Sequence, residues 1–330
     1  MIPTLAADQK LLDCLASLER QSRRDFEIIV VNNGQQEDAA ALQVAKQTGA
    51  AIVKPKRNVG FGAAINLGYR RSRARFLATL NDDAVAHPQW LAALLAAMEA
   101  RTDAGMCASQ VRMLGQDTLD SAGMLICADG SSRQRGHGSA LGTFCQTEEV
   151  LLPSGSAAIY RRSMLEEIGL FDEDFFLYCE DTDLGLRARW AGWKCLYVAD
   201  AMVDHHYSHS AGRASALKAY YVERNRLFVI AKNFPAGMLL AAPFVTIARY
   251  AWHLHWMLVR RGAAARFRED EGGGLLLVWI AIRAHLACLW RCVSLWRKRR
   301  AIHRTARVSS AAFHELLAAH AISARRLAEL

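Results

Sequence analysis

Glu180 and Asp181 form a carboxylate pair whose type and position suit acid–base chemistry in this 330-residue chain. They follow the apolar run 175–179 and open a segment of helical character that closes at Gly192, a residue suited to the left-handed position after a helix. A carboxylate pair at such a strand-to-helix junction is held on rigid elements yet reaches a cleft, as a general base must. Helix capping is the plainer alternative. Asp181 and Asp183 would then complement the positive helix N-terminus, and Asp183 would pair with Arg187 one turn later. The neighbouring residues favour chemistry, because Phe171-Asp172-Glu173 lies just before the pair and Ala201-Met202-Val203-Asp204-His205 just after.

Three further stretches end buried strands with polar residues. Phe26 to Val31 reads as a parallel strand and runs into Asn32-Asn33-Gly34-Gln35, where open α/β sheets place a ligand crevice, although Asn-Gly also makes a ready turn. After the strand Ala51-Ile52-Val53, the tract 56–68 carries Asn58, Gly60, Gly62, Asn66 and Gly68. A Gly-rich turn opening a helix lets backbone approach a diphosphate and turns the helix N-terminus toward it. Arg75 to Leu80 then reads as a strand ending in Asn81-Asp82-Asp83, with a helix begun by Pro88. Carboxylates there suit Mg²⁺ or Mn²⁺ bridging a nucleotide diphosphate, and an N-cap role for Asp82 or Asp83 stays open. Upstream, Leu11, Leu12, Leu15 and Leu18 have helical spacing, and this alternation of strands and helices predicts a doubly wound α/β sheet.

Taken together, these residues resemble the family 2 glycosyltransferases, in particular their rhamnosyltransferase-like and galactofuranosyltransferase-like branch, over residues 1–212. The match runs through Gly169-Leu170-Phe171-Asp172-Glu173, Phe175-Phe176, Tyr178, Glu180-Asp181, Asp183-Leu184, Arg187, Gly192, Ala201, Val203 and His205, and through the Asn58-to-Gly68 spacing. The resemblance implies a GT-A fold: α/β, Rossmann-like, a mostly parallel sheet with helices on both faces. It divides into a nucleotide-sugar half at 1–110, an acceptor and catalytic half at 111–212, and a C-terminal helical membrane-associating region at 213–330. It implies Asp181 as the base, with Glu180 supporting it or orienting the acceptor, and a metal held by Asp83 and His205. His206 and His209 are equally good ligands chemically. By the same resemblance Asn33 meets the nucleotide base, while Asn32 and Gln35 depart from the family's Asp and Ser. Pro3, Thr4, Asn58, Gly60, Gly62, Asn66, Asn81 and Asp82 would surround the donor nucleotide, and Gly155 and Ser156 its sugar.

The activity implied is inverting transfer of a sugar, rhamnose by branch resemblance, from a nucleotide-diphosphate-sugar to a hydroxyl of a lipid-linked or polysaccharide acceptor in cell-envelope synthesis. A nucleotidyltransferase and a non-catalytic, membrane-bound nucleotide-sugar-binding protein are the rival readings. Only Met1 and Ile2 precede Pro3-Thr4, so the first strand is expected to be short, or the start to lie upstream. No basic and apolar leader opens the chain, so no signal peptide is expected. The tract 105–150 reads as a mobile polar insertion in which His137 is solvated.

Charge is divided unevenly along the chain. From Arg226 onward stand 17 Lys and Arg against 5 Asp and Glu, so the net +9 of the whole belongs to the tail. There Trp252, Trp256, Trp279, Trp290 and Trp296 interleave with arginines, and 297–300 is wholly basic. That composition suits interfacial helices on an anionic membrane surface better than nucleic acid, and places the protein at the cytoplasmic face of the inner membrane. Packing on the catalytic part, or on a second copy in a homo-oligomer, is the alternative use of these helices. Eight cysteines without C-x-x-C spacing predict free thiols.

Overall fold

The computed structural model describes residues 1–34, 40–206, 215–271 and 273–329, without the side chains of 269–271. Gln35 and His209 lie outside the described residues. Contacts divide the chain into one unit of Met1–Met124, Gln134–Phe176 and Trp193–Tyr207, and another of Leu125–Arg133, Leu177–Gly192 and Ser208–Leu330.

The first unit is an α/β layer structure. Strands Ile2–Thr4, Ile29–Asn32 and Ala51–Val53 form a parallel sheet, with Ile2 opposite Val30 and Ile29 opposite Ala51. The connections are helices: Gln9–Glu19, capped by the Asp8 carboxylate on the Lys10 N–H, and Ala40–Gln47. Leu11, Leu15 and Leu18 are buried and Leu12 is half-buried, as a helix facing the core on one stripe requires. The first strand is short, as expected.

A second sheet of seven strands corrects the expectation of a mostly parallel fold. Its main path runs Glu148–Val150, Lys194–His205, Ala104–Met113, Ala157–Arg161, Phe76–Leu80, with Ala84–Ala86 and Leu119–Ser121 at the sides. Only Lys194–His205 against Ala104–Met113 is parallel; the other pairs are antiparallel. Parallel pairing needs a long crossover, usually helical. Among the described residues no helix lies between Ala100 and Arg162, so this stretch folds back in hairpin-like connections. The tract 105–150, expected to be a mobile insertion, supplies several of these strands. Pro88 does not begin its helix, which starts at Trp90 after a turn. Trp90 is buried with its indole N–H on the Ser109 hydroxyl at 2.8 Å.

The second unit is helical. Glu180–Trp190 is followed by Ala216–Asn233, Ala236–Leu258, Gly262–Glu271, Gly274–Trp290, Cys292–Arg304, Ser310–Ala319 and Ala324–Glu329. Trp190 is its apolar anchor: the ring stacks on Phe313 with centroids 3.9 Å apart, and its N–H donates to the Asn233 carbonyl at 2.8 Å.

Helix Ala236–Leu258 has an inverted pattern. Thr246 and Arg249 are buried while Leu240, Phe244, Ile247, Leu254 and Leu258 are exposed. The buried polar side meets a compensated charge network. Arg249 donates to Asp129 at 2.5 Å and to Glu223 at 2.8 Å, and Arg226 reaches Glu223, Thr246 and Tyr250. Two arginines thus face two carboxylates, and burial is tolerable because each charge is paired and hydrogen-bonded. Gly274–Trp290 also turns an apolar stripe outward, with Leu275 at 87% and Trp290 at 92% exposure. Among the described residues no single helix is long and apolar enough to cross a membrane; one pair, Gly274–Trp290 and Cys292–Arg304 bent by 65°, passes by length and composition. All eight cysteines are free thiols.

Candidate active site

In the first unit, the candidate residues gather where strands Ile29–Asn32 and Phe76–Leu80 end. Gly34 sits so close to Leu5 that a Cβ would lie 1.7 Å from the Leu5 carbonyl oxygen. Thr4 accepts the Ala7 N–H at 3.0 Å, and its hydroxyl, with the Leu5 N–H, supports the Asp82 carboxylate. Burial pushes that carboxyl up to about 6, against the Thr4 hydrogen bond and with the Asp83 charge adding. Pro3 lies in the first strand opposite Val31.

Asn33 and Asn58 build the glycine-rich turn. The Asn33 amide donates to Asn58 Oδ1 at 2.9 Å and to the Gly60 carbonyl at 3.3 Å, and its oxygen accepts the Val59 N–H at 2.9 Å. Both amide hydrogens of Asn33 are therefore committed to the turn, and its oxygen accepts from the same turn. Gly60 caps helix Phe61–Arg71 with φ 85°, and a Cβ there would lie 2.1 Å from the Phe176 carbonyl. Only glycine meets both demands. Gly62 is buried in the first helical turn. Asn66 holds a different segment. Its amide donates to the Phe171 carbonyl at 2.9 Å and Glu173 at 3.0 Å, and its oxygen accepts the Phe171 N–H at 3.1 Å. It thereby clamps Phe171-Asp172-Glu173.

Asp83 and His205 do meet. His205 Nε2 lies 3.2 Å from Asp83 and 3.3 Å from the Asn81 amide, while Nδ1 is 2.9 Å from Asp120. Burial alone would lower the imidazole pKa, but hydrogen bonds and charge from Asp120 and Asp83 push it up to about 9. Asp120, also 3.2 Å from His137, is held down to about 2 by the two histidines despite burial. His137 is thus a buried carboxylate's partner, not a solvated residue. His206 donates its backbone N–H to the Asp83 carbonyl at 3.0 Å. Gly155 accepts the Thr79 hydroxyl at 3.2 Å, and Ser156 pairs with Ser154 at 3.1 Å while its carbonyl accepts the Asn81 N–H.

In the second unit, Glu180 and Asp181 open helix Glu180–Trp190, but the expected strand before them is absent. Glu173–Phe175 is a 3₁₀ turn, and Phe176, Tyr178 and Cys179 then take left-handed φ of 63°, 67° and 63°. For non-glycine residues that costs on the order of 1–3 kcal/mol each and marks a place where surrounding contacts dictate backbone. Asp181 accepts the Thr182 N–H at 2.6 Å. Glu180 is buried, its Oε2 has no hydrogen-bond partner among the described residues, and burial with the nearby Asp181 charge pushes its carboxyl up to about 8. Asp183 is buried among partners: Lys232 at 2.6 Å, Arg187 at 2.9 Å and Asn233 at 2.9 Å surround it. The pairing with Arg187 one turn on is the one its spacing predicts. Asp120, Asn225, Lys232 and Asn233 were not singled out by sequence, since nothing in their local pattern shows what they meet.

Among the described residues, no group of three His, Cys, Asp or Glu is arranged to hold a metal ion. The pair Asp83 and His205 nevertheless fits a divalent cation in donor chemistry, a carboxylate oxygen and an imidazole nitrogen turned toward each other, provided the cation displaces the proton that His205 Nε2 shares with Asp83.

The fold and this arrangement of polar residues at strand ends define a GT-A-like α/β protein. The structure is similar to a mannosyltransferase from Pyrobaculum calidifontis in complex with GDP-Man and Mn²⁺, with TM-score 0.54, 16% identity, and 94% of this chain and 85% of that one covered. It is also similar to GalNAc-T7 with UDP, GalNAc and Mn²⁺, with TM-score 0.59, 14% identity, and 89% and 56% covered. Residues 1–169 match the family described as Glycosyl transferase family 2, and the chain belongs to it. Over 236 residues it is 30% identical to the N-acetylglucosaminyl-diphospho-decaprenol L-rhamnosyltransferase of Mycobacterium tuberculosis, covering 63% of this chain and 76% of that relative. The protein is a glycosyltransferase of the rhamnosyltransferase-like kind.

Proposed function

We propose that this glycosyltransferase moves a hexose, rhamnose first among candidates, from a nucleotide-diphosphate-sugar to a hydroxyl of a lipid-linked glycan of the cell envelope, with inversion. The observation that carries it is the convergence of Asp83, Asn81 and His205 beyond a strand terminus in a chain whose helix Glu180–Trp190 opens with the carboxylate pair. The mycobacterial relative's name supplies the sugar and an acceptor of the polyprenyl diphosphate class. Asp181 takes the acceptor proton as its oxygen attacks the anomeric carbon. Glu180, largely protonated at neutral pH, can donate a hydrogen bond while Asp181 accepts one. Asp83 and His205 would hold Mg²⁺ or Mn²⁺, which supplies charge neutralisation for the diphosphate leaving group. Asp120 on Nδ1 fixes which nitrogen His205 presents.

Anionic membrane at the cytoplasmic face is the proposed setting. Support comes from helix Ala236–Leu258, with polar residues inside and apolar ones outside, from the exposed tryptophans beside arginines, and from eight free thiols. The test of function is incubation with nucleotide sugars, Mn²⁺ and a polyprenyl-diphosphate-linked N-acetylglucosamine. Release of nucleoside diphosphate with a glycosylated lipid is expected. Nucleoside monophosphate or pyrophosphate would favour a nucleotidyltransferase, and donor binding without turnover on a broad acceptor panel a binding protein.

A further inference from the structure

Helix Ala216–Asn233 carries a side chain aimed at the strained turn that precedes the carboxylate pair. Asn225 is fully buried. Its two amide hydrogens go to the Leu177 and Tyr178 carbonyls, each at 2.7 Å, and its oxygen accepts from Arg224 Nε at 2.8 Å. Arg224 is itself oriented by the rings of Tyr221 and Phe228, at 4.7 and 5.0 Å. The peptide groups that Asn225 holds flank Tyr178 and lead into Cys179, both left-handed and neither glycine. Cys179 is the N-cap of helix Glu180–Trp190 and offers no side-chain cap. Asp181 therefore depends for its direction on a turn that its own residues disfavour and that Asn225 grips from another helix.

We propose that Asn225 is a positioning residue for transfer, fixing the carboxylate of Asp181 by holding the 177–179 turn. This rests on the reading of Asp181 as the base. Asn225 acts through backbone, without touching substrate. Lys232, Asn233 and Arg187 on Asp183 secure the following turn of the same catalytic helix, so Asn225 controls its entry and they control its seat. A merely structural Asn225 would affect melting and leave turnover of the folded protein alone.

The experiment compares wild type, Asn225→Ala, Cys179→Gly and the double variant by melting temperature, donor affinity and kcat, with Asp181→Asn alongside. Glycine at 179 adopts the left-handed conformation freely, so it should hold the turn without the clamp. Expected is a kcat about 10²-fold lower in folded Asn225→Ala, with donor affinity within about twofold, and recovery of about tenfold or more in the double variant. Near-normal kcat in folded Asn225→Ala, or a loss that Cys179→Gly leaves untouched, would overturn the inference. Should Asn225→Ala fail to fold, restored folding and turnover in the double variant supports it, and failure of both overturns it. Asp181→Asn separates the two claims: full turnover there removes the base, whereas inactive Asp181→Asn beside fully active Asn225→Ala removes only the positioning role.

Discussion

Two carboxylate groups in this molecule have opposite surroundings. Around His205, Asp83 and Asp120 each face an imidazole, and Asp120 stays ionised down to about 2 although it is buried. At the head of helix Glu180–Trp190, Glu180 is also buried, but there burial and the neighbouring Asp181 charge act in the same direction, and its carboxyl rises to about 8. Burial is common to both; partners decide the sign. The first arrangement suits holding a cation and the second handling a proton, and pKa values pushed apart are how two acidic residues take different roles.

The sharpest way to break the contrast is Asp181→Asn. Size and hydrogen bonding survive but proton acceptance does not, so turnover should fall roughly 10²–10⁴-fold in steady-state assays. Lys232→Met tests the scaffold beneath: Asp183 would keep Arg187 and Asn233 but lose its closest cation, and denaturant unfolding should show a loss of about 3 kcal/mol. In the other region, Asp120→Asn leaves the site's shape but weakens the orienting bond to His205, and Mn²⁺ titration should show affinity lower by about 10–100-fold. Unchanged titration would remove Asp120 from the cation site.

A further effect concerns pH. Glu180 binds its proton more tightly folded, near 8, than unfolded, near 4.5. Its contribution to stability is fully present below about 4.5 and is lost as pH rises through about 8. Melting of wild type should therefore decline over that window more than melting of Glu180→Gln; parallel profiles would show that Glu180 is not held protonated.

Much of this was written in local sequence. The glycine at 60 and the asparagines at 33 and 58 announce a turn, and the structure shows why: φ 85°, a carbonyl where a Cβ would be, and amides spent on backbone. Helical spacing foretold the Asp183–Arg187 pair. The seven-stranded sheet was less legible, because strand direction depends on how connections return, and residues 101–161 have no crossover helix to signal it. The apolar run 175–179 read as a strand; the left-handed turn there depends on Asn225, a residue distant in sequence whose partners no local pattern reveals. For the same reason, ending the chain near residue 224 would not spare a folded catalytic helix, since Asn225, Lys232 and Asn233 would go with the tail.

On the proposed function the two carboxylate regions divide the work, one holding the donor's cation and the other taking the acceptor's proton. Mn²⁺-dependent donor binding by calorimetry, measured on Asp83→Ala and Asp181→Asn beside their turnover, tests it most directly. Asp83→Ala should lose metal-dependent donor binding, and Asp181→Asn should bind like wild type while turning over hardly at all. Equal binding curves for wild type and Asp83→Ala, or near-normal turnover in folded Asp181→Asn, would contradict it.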